Sequence, residues 1–171
     1  MSLSLYDVSI PSYARMLRNL SGILDKAEIY ATETGTPIST FVEASFGHGM
    51  APFSRQIQFA SDAAKSGAAR LAGIEAPSMP DTETTFPELK ARIAKTLAFV
   101  ESIKPEDVSD DLDREIVLTF PSGSMTFTAK NFLLGFSLPN FHFHVTTAYD
   151  LLRSQGVPLA KGDYLNGPRK A

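Results

Sequence analysis

The chain has three histidines, and two of them stand two residues apart in Leu138-Pro139-Asn140-Phe141-His142-Phe143-His144-Val145. An imidazole can hold a transition metal or move a proton near neutral pH. On a strand, His142 and His144 would share a face and could chelate one ion. On a helix they point about 200° apart, and the pair on one face is Asn140 with His144, at i and i+4. The segment reads as a long amphipathic helix, so the candidate is His144 with Asn140, and His142 faces outward or toward a partner. The plainer role for His144 is a hydrogen-bonded histidine in the core. Gln58 and Asp62 make a second i, i+4 polar pair, on an upstream helix. A carboxylate at Asp62 could orient His144 or assist a metal, unless Asp62 and Lys65 form a solvated face. His48 lies between Gly47 and Gly49. A histidine in such a break can close over a site, although a loop residue of this kind more often stands in solvent.

Other chemistries lack their residues. There is no cysteine, which excludes disulfides, thiolate zinc sites and cysteine nucleophiles, and which suits a reducing cytoplasm. No phosphate loop, dinucleotide fingerprint, nucleophile elbow or H-E-x-x-H pattern occurs. The acidic run Asp107, Asp110, Asp111, Asp113 and Glu115 lacks the spacing and central glycine of a calcium loop. Net charge is −3 with acids and bases mixed, so no basic field for nucleic acid or anionic lipid is expected. The N-terminus lacks a basic n-region and a sustained apolar run, so it does not read as a signal peptide, and no apolar run reaches membrane-spanning length. The expectation is a soluble cytoplasmic protein.

Helices must position these side chains. The spacing of Met16, Leu17, Leu20, Ile23, Leu24 and Ala27 predicts a first helix over about 9–33, capped by Ser9 with Pro11 in its first turn. A short helical piece over 38–46 follows, then the flexible break at 47–52. A second helix, about Pro52 to Ala72, is unusually small-sided, and Gly67 inside it implies a close packing partner. The capping-box pattern Thr85-Phe86-Pro87-Glu88 opens a third helix that Pro105 ends. The period then changes to two over Ile116–Phe120 and Met125–Ala129, which predicts a hairpin about 115–129 around Pro121-Ser122-Gly123-Ser124. A last long helix begins between Lys130 and Pro139, ends near Gly156, and carries Phe141, Val145, Ala148 and Leu152 inward. A tail about 157–171 could fold back through Leu159 and Tyr164-Leu165, with 168–171 frayed. The 171 residues fit one mainly α domain, a four-helix bundle with a β-hairpin inserted before the last long helix.

The run from Leu138 to Tyr149, with Leu151-Leu152-Arg153 and Gly156-Val157-Pro158-Leu159, resembles a bacterial domain-of-unknown-function family within the DinB/YfiT-like metalloenzyme superfamily. Pro52-Phe53-Ser54-Arg55-Gln56-Ile57-Gln58, Thr85-Phe86-Pro87-Glu88-Leu89 and Lys161-Gly162-Asp163-Tyr164-Leu165 carry it further along the chain. The resemblance implies a DinB-like bundle, commonly a homodimer. It also implies a metal held by one histidine on the second helix and an H-x-x-x-H pair on the last. Those positions fall on or near Gln58 and on Asn140 and His144, so one histidine of three is retained, and amides are poor ligands for zinc or nickel. Two functions are therefore expected. One is a dimeric bundle whose polar pocket at Gln58, Asp62, Asn140 and His144, a degenerate metal site, binds a small molecule without a tightly held metal. The other is a divalent-metal-dependent transferase or hydrolase, using zinc or nickel, with His144 as the surviving ligand and His48 or Asp62 assisting. The small face of the second helix, with Phe143 and His142, is the expected two-fold contact.

Overall fold

A computed structural model describes residues 3–167. Helix α1 spans Leu5–Thr34, starting before the Ser9 cap that the sequence suggests. Ser4 and Asp7 form the capping box instead: the Ser4 hydroxyl accepts from the Asp7 N–H at 3.0 Å, and the Asp7 carboxylate accepts from the Ser4 N–H at 3.1 Å. Ser9 is then inside the helix, fully buried, and donates to the Leu5 carbonyl at 2.7 Å. Pro11 is tolerated in the helix because it lies on the exposed side, beside an exposed Asp7 whose unpaired carbonyl can take water. Gly35, at φ 67°, closes the helix in the left-handed conformation.

Helix α2 (Ile38–Val42) is shorter than the expected piece, and Phe46 beyond it is half-exposed. Helix α3 (Phe53–Ala72) and helix α4 (Phe86–Ser102) follow the sequence closely, α4 with the Thr85/Glu88 capping box. Strands β1 (Glu115–Phe120) and β2 (Gly123–Thr128) pair antiparallel, Ile116 opposite Phe127 and Leu118 opposite Met125. The turn is two residues, Pro121-Ser122, so β2 takes in the Gly123-Ser124 that the sequence left in the loop. Ile116 and Leu118 are buried, while Phe120 and Met125 stay largely exposed, so only the base of the hairpin joins the core.

Beyond the hairpin the chain stays helical from α5 (Ala129–Phe132) through a π-helical turn at Leu133–Ser137 into α6 (Leu138–Ser154). Pro139 has no N–H to continue the ladder, and widening the preceding turn is one way a helix absorbs such a residue. Phe141, Val145, Ala148 and Leu152 all point into the core, as their spacing requires. Helix α7 (Lys161–Asn166) folds back on α1. Asp163 caps it by accepting from the Ala160 N–H at 2.7 Å and binds Lys26 at 3.0 Å, while the Asn19 amide donates to the Tyr164 carbonyl at 2.8 Å. The expected fraying at 168–171 lies outside the described residues.

In the bundle, α3 lies between α6 and α4, and α1 packs on α4. The small side chains of α3 serve this packing. Ala60, Ala64 and Ala68 are fully buried within the chain, so that face is not free to pair two copies. Gly67 has the packing partner its position implied: a methyl there would stand 2.5 Å from the Tyr13 hydroxyl and overlap Ser137 Oγ. Those two hydroxyls hydrogen-bond each other at 2.7 Å, tying α1 to the π turn across the face of α3. Among the described residues no helix is long and apolar enough to cross a membrane.

Candidate functional site

Helices α3 and α6 run antiparallel, so that Gln56 meets His144 and Gly67 meets Ser137. Between them, under β1, lies a partly open cavity of about 240 Å³. Its floor is Ala63 and Gly67, where small side chains leave room. Its walls are Phe59, Leu118, Phe120, Phe132 and Phe136. Its polar groups are Asp62, Ser66 and Arg70 from α3, Thr119 from β1, and Ser137, Asn140 and His144 from the π turn and α6.

His144 is the best-defined of these. Its Nδ1 lies 2.8 Å from Gln56 Oε1, and its ring packs on Phe59 at a centroid distance of 5.1 Å. The Gln56 amide is itself oriented, because its Nε2 donates to the Ala51 carbonyl at 3.0 Å, a group that can only accept. Gln56 therefore offers oxygen to His144, and Nδ1 must carry the proton. Burial lowers the His144 pKa below the ordinary 6.5, so the ring is neutral near pH 7. A neutral ring protonated at Nδ1 keeps its lone pair on Nε2, which no described side chain occupies. That nitrogen can accept a hydrogen bond, take a proton or bind a metal.

The second polar cluster faces the other way. Arg92 of α4 is buried and binds Asp62 at 2.8 Å, Asp81 at 2.9 Å and Glu83 at 3.1 Å. Lys65 also reaches Asp62, at 2.9 Å. Gln58 belongs here, not in the cavity: its amide donates to Glu83 at 2.9 Å and its oxygen accepts from Arg55 at 2.7 Å. Burial favours a protonated Glu83, but its hydrogen bonds and Arg92 outweigh that and lower its pKa. These contacts pin the loop before α4 onto α3.

Of the residues chosen from sequence, the cavity thus joins Asp62, Asn140 and His144, with Asp62 already held by two cations. Gln58, one turn before Asp62, lies outside the cavity because its amide is turned to Arg55 and Glu83. His48 is exposed, at φ 50° between two left-handed glycines, in a turn closed by the Met50 N–H to the Gly47 carbonyl at 2.9 Å. It does not line the cavity. His142 turns toward α7, with Nδ1 3.3 Å from the Tyr164 hydroxyl. Gln56 and Arg70 are the residues that sequence reasoning missed. A signal existed: Gln56, Ala60, Ala63, Gly67 and Arg70 fall at helical spacing along one stripe, whose later residues Ala63, Gly67 and Arg70 line the cavity.

The sequence matches the domain-of-unknown-function family DUF1993 over residues 5–165. The chain belongs to the DUF1993 family. A crystal structure of a DinB family member protein from Shewanella denitrificans superposes with a TM-score of 0.87 at 36% identity, covering 98% of this chain and 95% of that one. Among curated proteins nothing matches. The fold of this DUF1993 chain is therefore DinB-like, as the C-terminal motif implied. The three-histidine metal site expected of that superfamily does not fit the residues present. His144 supplies one imidazole, Asn140 a carboxamide in place of the second, and Gln58 points away. Among the described residues no cluster of three or more His, Asp or Glu could hold an ion.

Proposed function

We propose that this DUF1993 protein binds a small organic molecule in the cavity between α3, β1 and α6, with His144 Nε2 as its hydrogen-bond acceptor or base. The observation that carries this reading is the relay from the Ala51 carbonyl through Gln56 to His144, which fixes the tautomer and leaves the Nε2 lone pair unpaired on a residue that lines an aromatic-walled space. Apolar walls with a few convergent polar groups suit small-molecule recognition. A metal-dependent transferase or hydrolase reading keeps one supporting observation, since the Gln56–His144 bond resembles the outer contact of a metal-binding histidine; it lacks further ligands. We place the protein in the cytoplasm as a homodimer, with half-exposed Phe143 on α6 as a contact residue; sedimentation showing only monomer at tens of micromolar would refute the pairing. The binding test is a fragment screen by ligand-observed NMR on the wild type and on Ala63→Phe, which fills the cavity from a half-exposed position. Fragments should bind the wild type and be lost in the variant. Binding that survives Ala63→Phe, or no binding at millimolar concentration, would overturn the reading.

A further inference from the structure

Arg70 is the group in the cavity without a counterpart. It is half-buried in the last turn of α3 and lines the space with Ser66 and Ser137. Of its five N–H donors, one is used, on the Ser66 carbonyl at 3.3 Å. Among the described residues no carboxylate lies within ion-pair distance of it. Arg92, the fully buried arginine packed on α3, has three carboxylates, and half-buried Arg114 instead donates to the Arg70 and Leu71 carbonyls at 3.1 and 2.9 Å. Asp62, the carboxylate of the cavity, is taken by Arg92 and Lys65 and sits eight residues back along α3, about 12 Å from Arg70 by helical rise. A cation at the end of a helix also favours the dipole, but a lysine serves that purpose as well, and it gives no reason for the cavity to form beside the charge. Burial lowers the Arg70 pKa, which marks a charge losing water without gaining a partner.

We propose that the occupant of this cavity is an organic carboxylate, its two oxygens on the Arg70 fork and its apolar body along Phe120 and Phe136 toward His144. The inference rests on the cavity being a binding site. A single fork matches one planar carboxylate. A phosphate dianion would call for a second cation, and none of the cavity's other residues supplies one. The aromatic walls favour an aryl or alkyl body over a polar one.

The test uses phenylacetate and 4-phenylbutyrate, their neutral carboxamides and phenyl phosphate, titrated by NMR or calorimetry into wild type, Arg70→Gln, Arg70→Lys and Ala63→Phe. At least one carboxylate should bind the wild type about tenfold or more tightly than its carboxamide, and Arg70→Gln should remove that difference. Arg70→Lys should restore it in part, because a point charge replaces a fork, and Ala63→Phe should abolish binding. Equal affinity for carboxylate and carboxamide, both lost in Ala63→Phe, would overturn the carboxylate assignment and leave the cavity as a site. A preference for phenyl phosphate would overturn it in favour of a phosphorylated ligand. Absence of binding by every probe would remove both readings. Melting temperatures of the unliganded variants within a few degrees of wild type establish that lost binding is not lost folding.

Discussion

Replacing Gly67 with alanine should destabilise this protein, although the same change stabilises most helices. In a helix interior the exchange gains about 1 kcal/mol from propensity. Here the new methyl would stand 2.5 Å from the Tyr13 hydroxyl and 3.0 Å from its ring carbon, and would overlap Ser137 Oγ. Tyr13 is fully buried and its ring is held edge-on against Phe141 at 5.2 Å, so it cannot swing away. Overpacking of a tight core costs about 1–3 kcal/mol, and losing the Tyr13–Ser137 hydrogen bond costs about 1 kcal/mol more. The net loss is about 2 kcal/mol, which for a chain of this size lowers Tm by about 4–8 °C. Urea and thermal unfolding of wild type, Gly67→Ala, Tyr13→Phe and the double variant measure it. Because Tyr13→Phe removes one of the two clashing oxygens, the double variant should lose less than the sum of the singles. A Gly67→Ala protein as stable as wild type would refute the claim that this glycine exists to bring α1, α3 and the π turn together.

The ion pairs give two further expectations. Arg92→Met leaves Glu83 without its cation, and Asp62 and Asp81 with only Lys65 and Arg55, and should cost about 3 kcal/mol, the low end of the range for a broken buried pair, whereas Arg55→Met, at a more exposed pair with Asp81, should cost under about 1 kcal/mol; chemical denaturation of both compares them, and similar losses would contradict the buried role. Glu83 and Asp163 both have pKa values lowered from their ordinary 4.5 and 3.8. A lowered carboxylate stabilises the fold above its unfolded value and loses that contribution as pH falls through its folded value. Stability should therefore hold from pH 7 to about 5 and fall steadily below the ordinary values; Glu83→Gln should flatten part of that fall, and a urea midpoint unchanged down to pH 3 would contradict it.

Much of the fold was legible because it follows local rules. The Thr85/Glu88 box and the stripe of Phe141, Val145, Ala148 and Leu152 are each written within a few neighbouring residues. The start of α1 was misplaced because two caps competed: Ser9 before Pro11 looked like a helix start, yet Ser4 with Asp7 closes both halves of a box. In the site, His144 and Asn140 were legible from i, i+4 spacing. Gln58 stands out in the sequence through its i, i+4 spacing to Asp62, but polarity alone does not report which face of α3 meets α6, and that face carries Gln56. Arg70 was not singled out because its significance is an absence of partners in three dimensions, and the π turn that brings Ser137 to Gly67 has no sequence signature beyond Pro139.

The most direct measurement is long-range proton–nitrogen NMR on the imidazole of His144, assigned with His144→Gln and followed from pH 5 to pH 8. A neutral ring protonated on Nδ1, titrating below 6.5 and shifting at Nε2 when a cavity ligand binds, is the expected result, with Gln56→Leu releasing the tautomer. A ring protonated on Nε2, or one titrating at or above 6.5, would contradict the proposal that Gln56 holds a free nitrogen ready for a ligand.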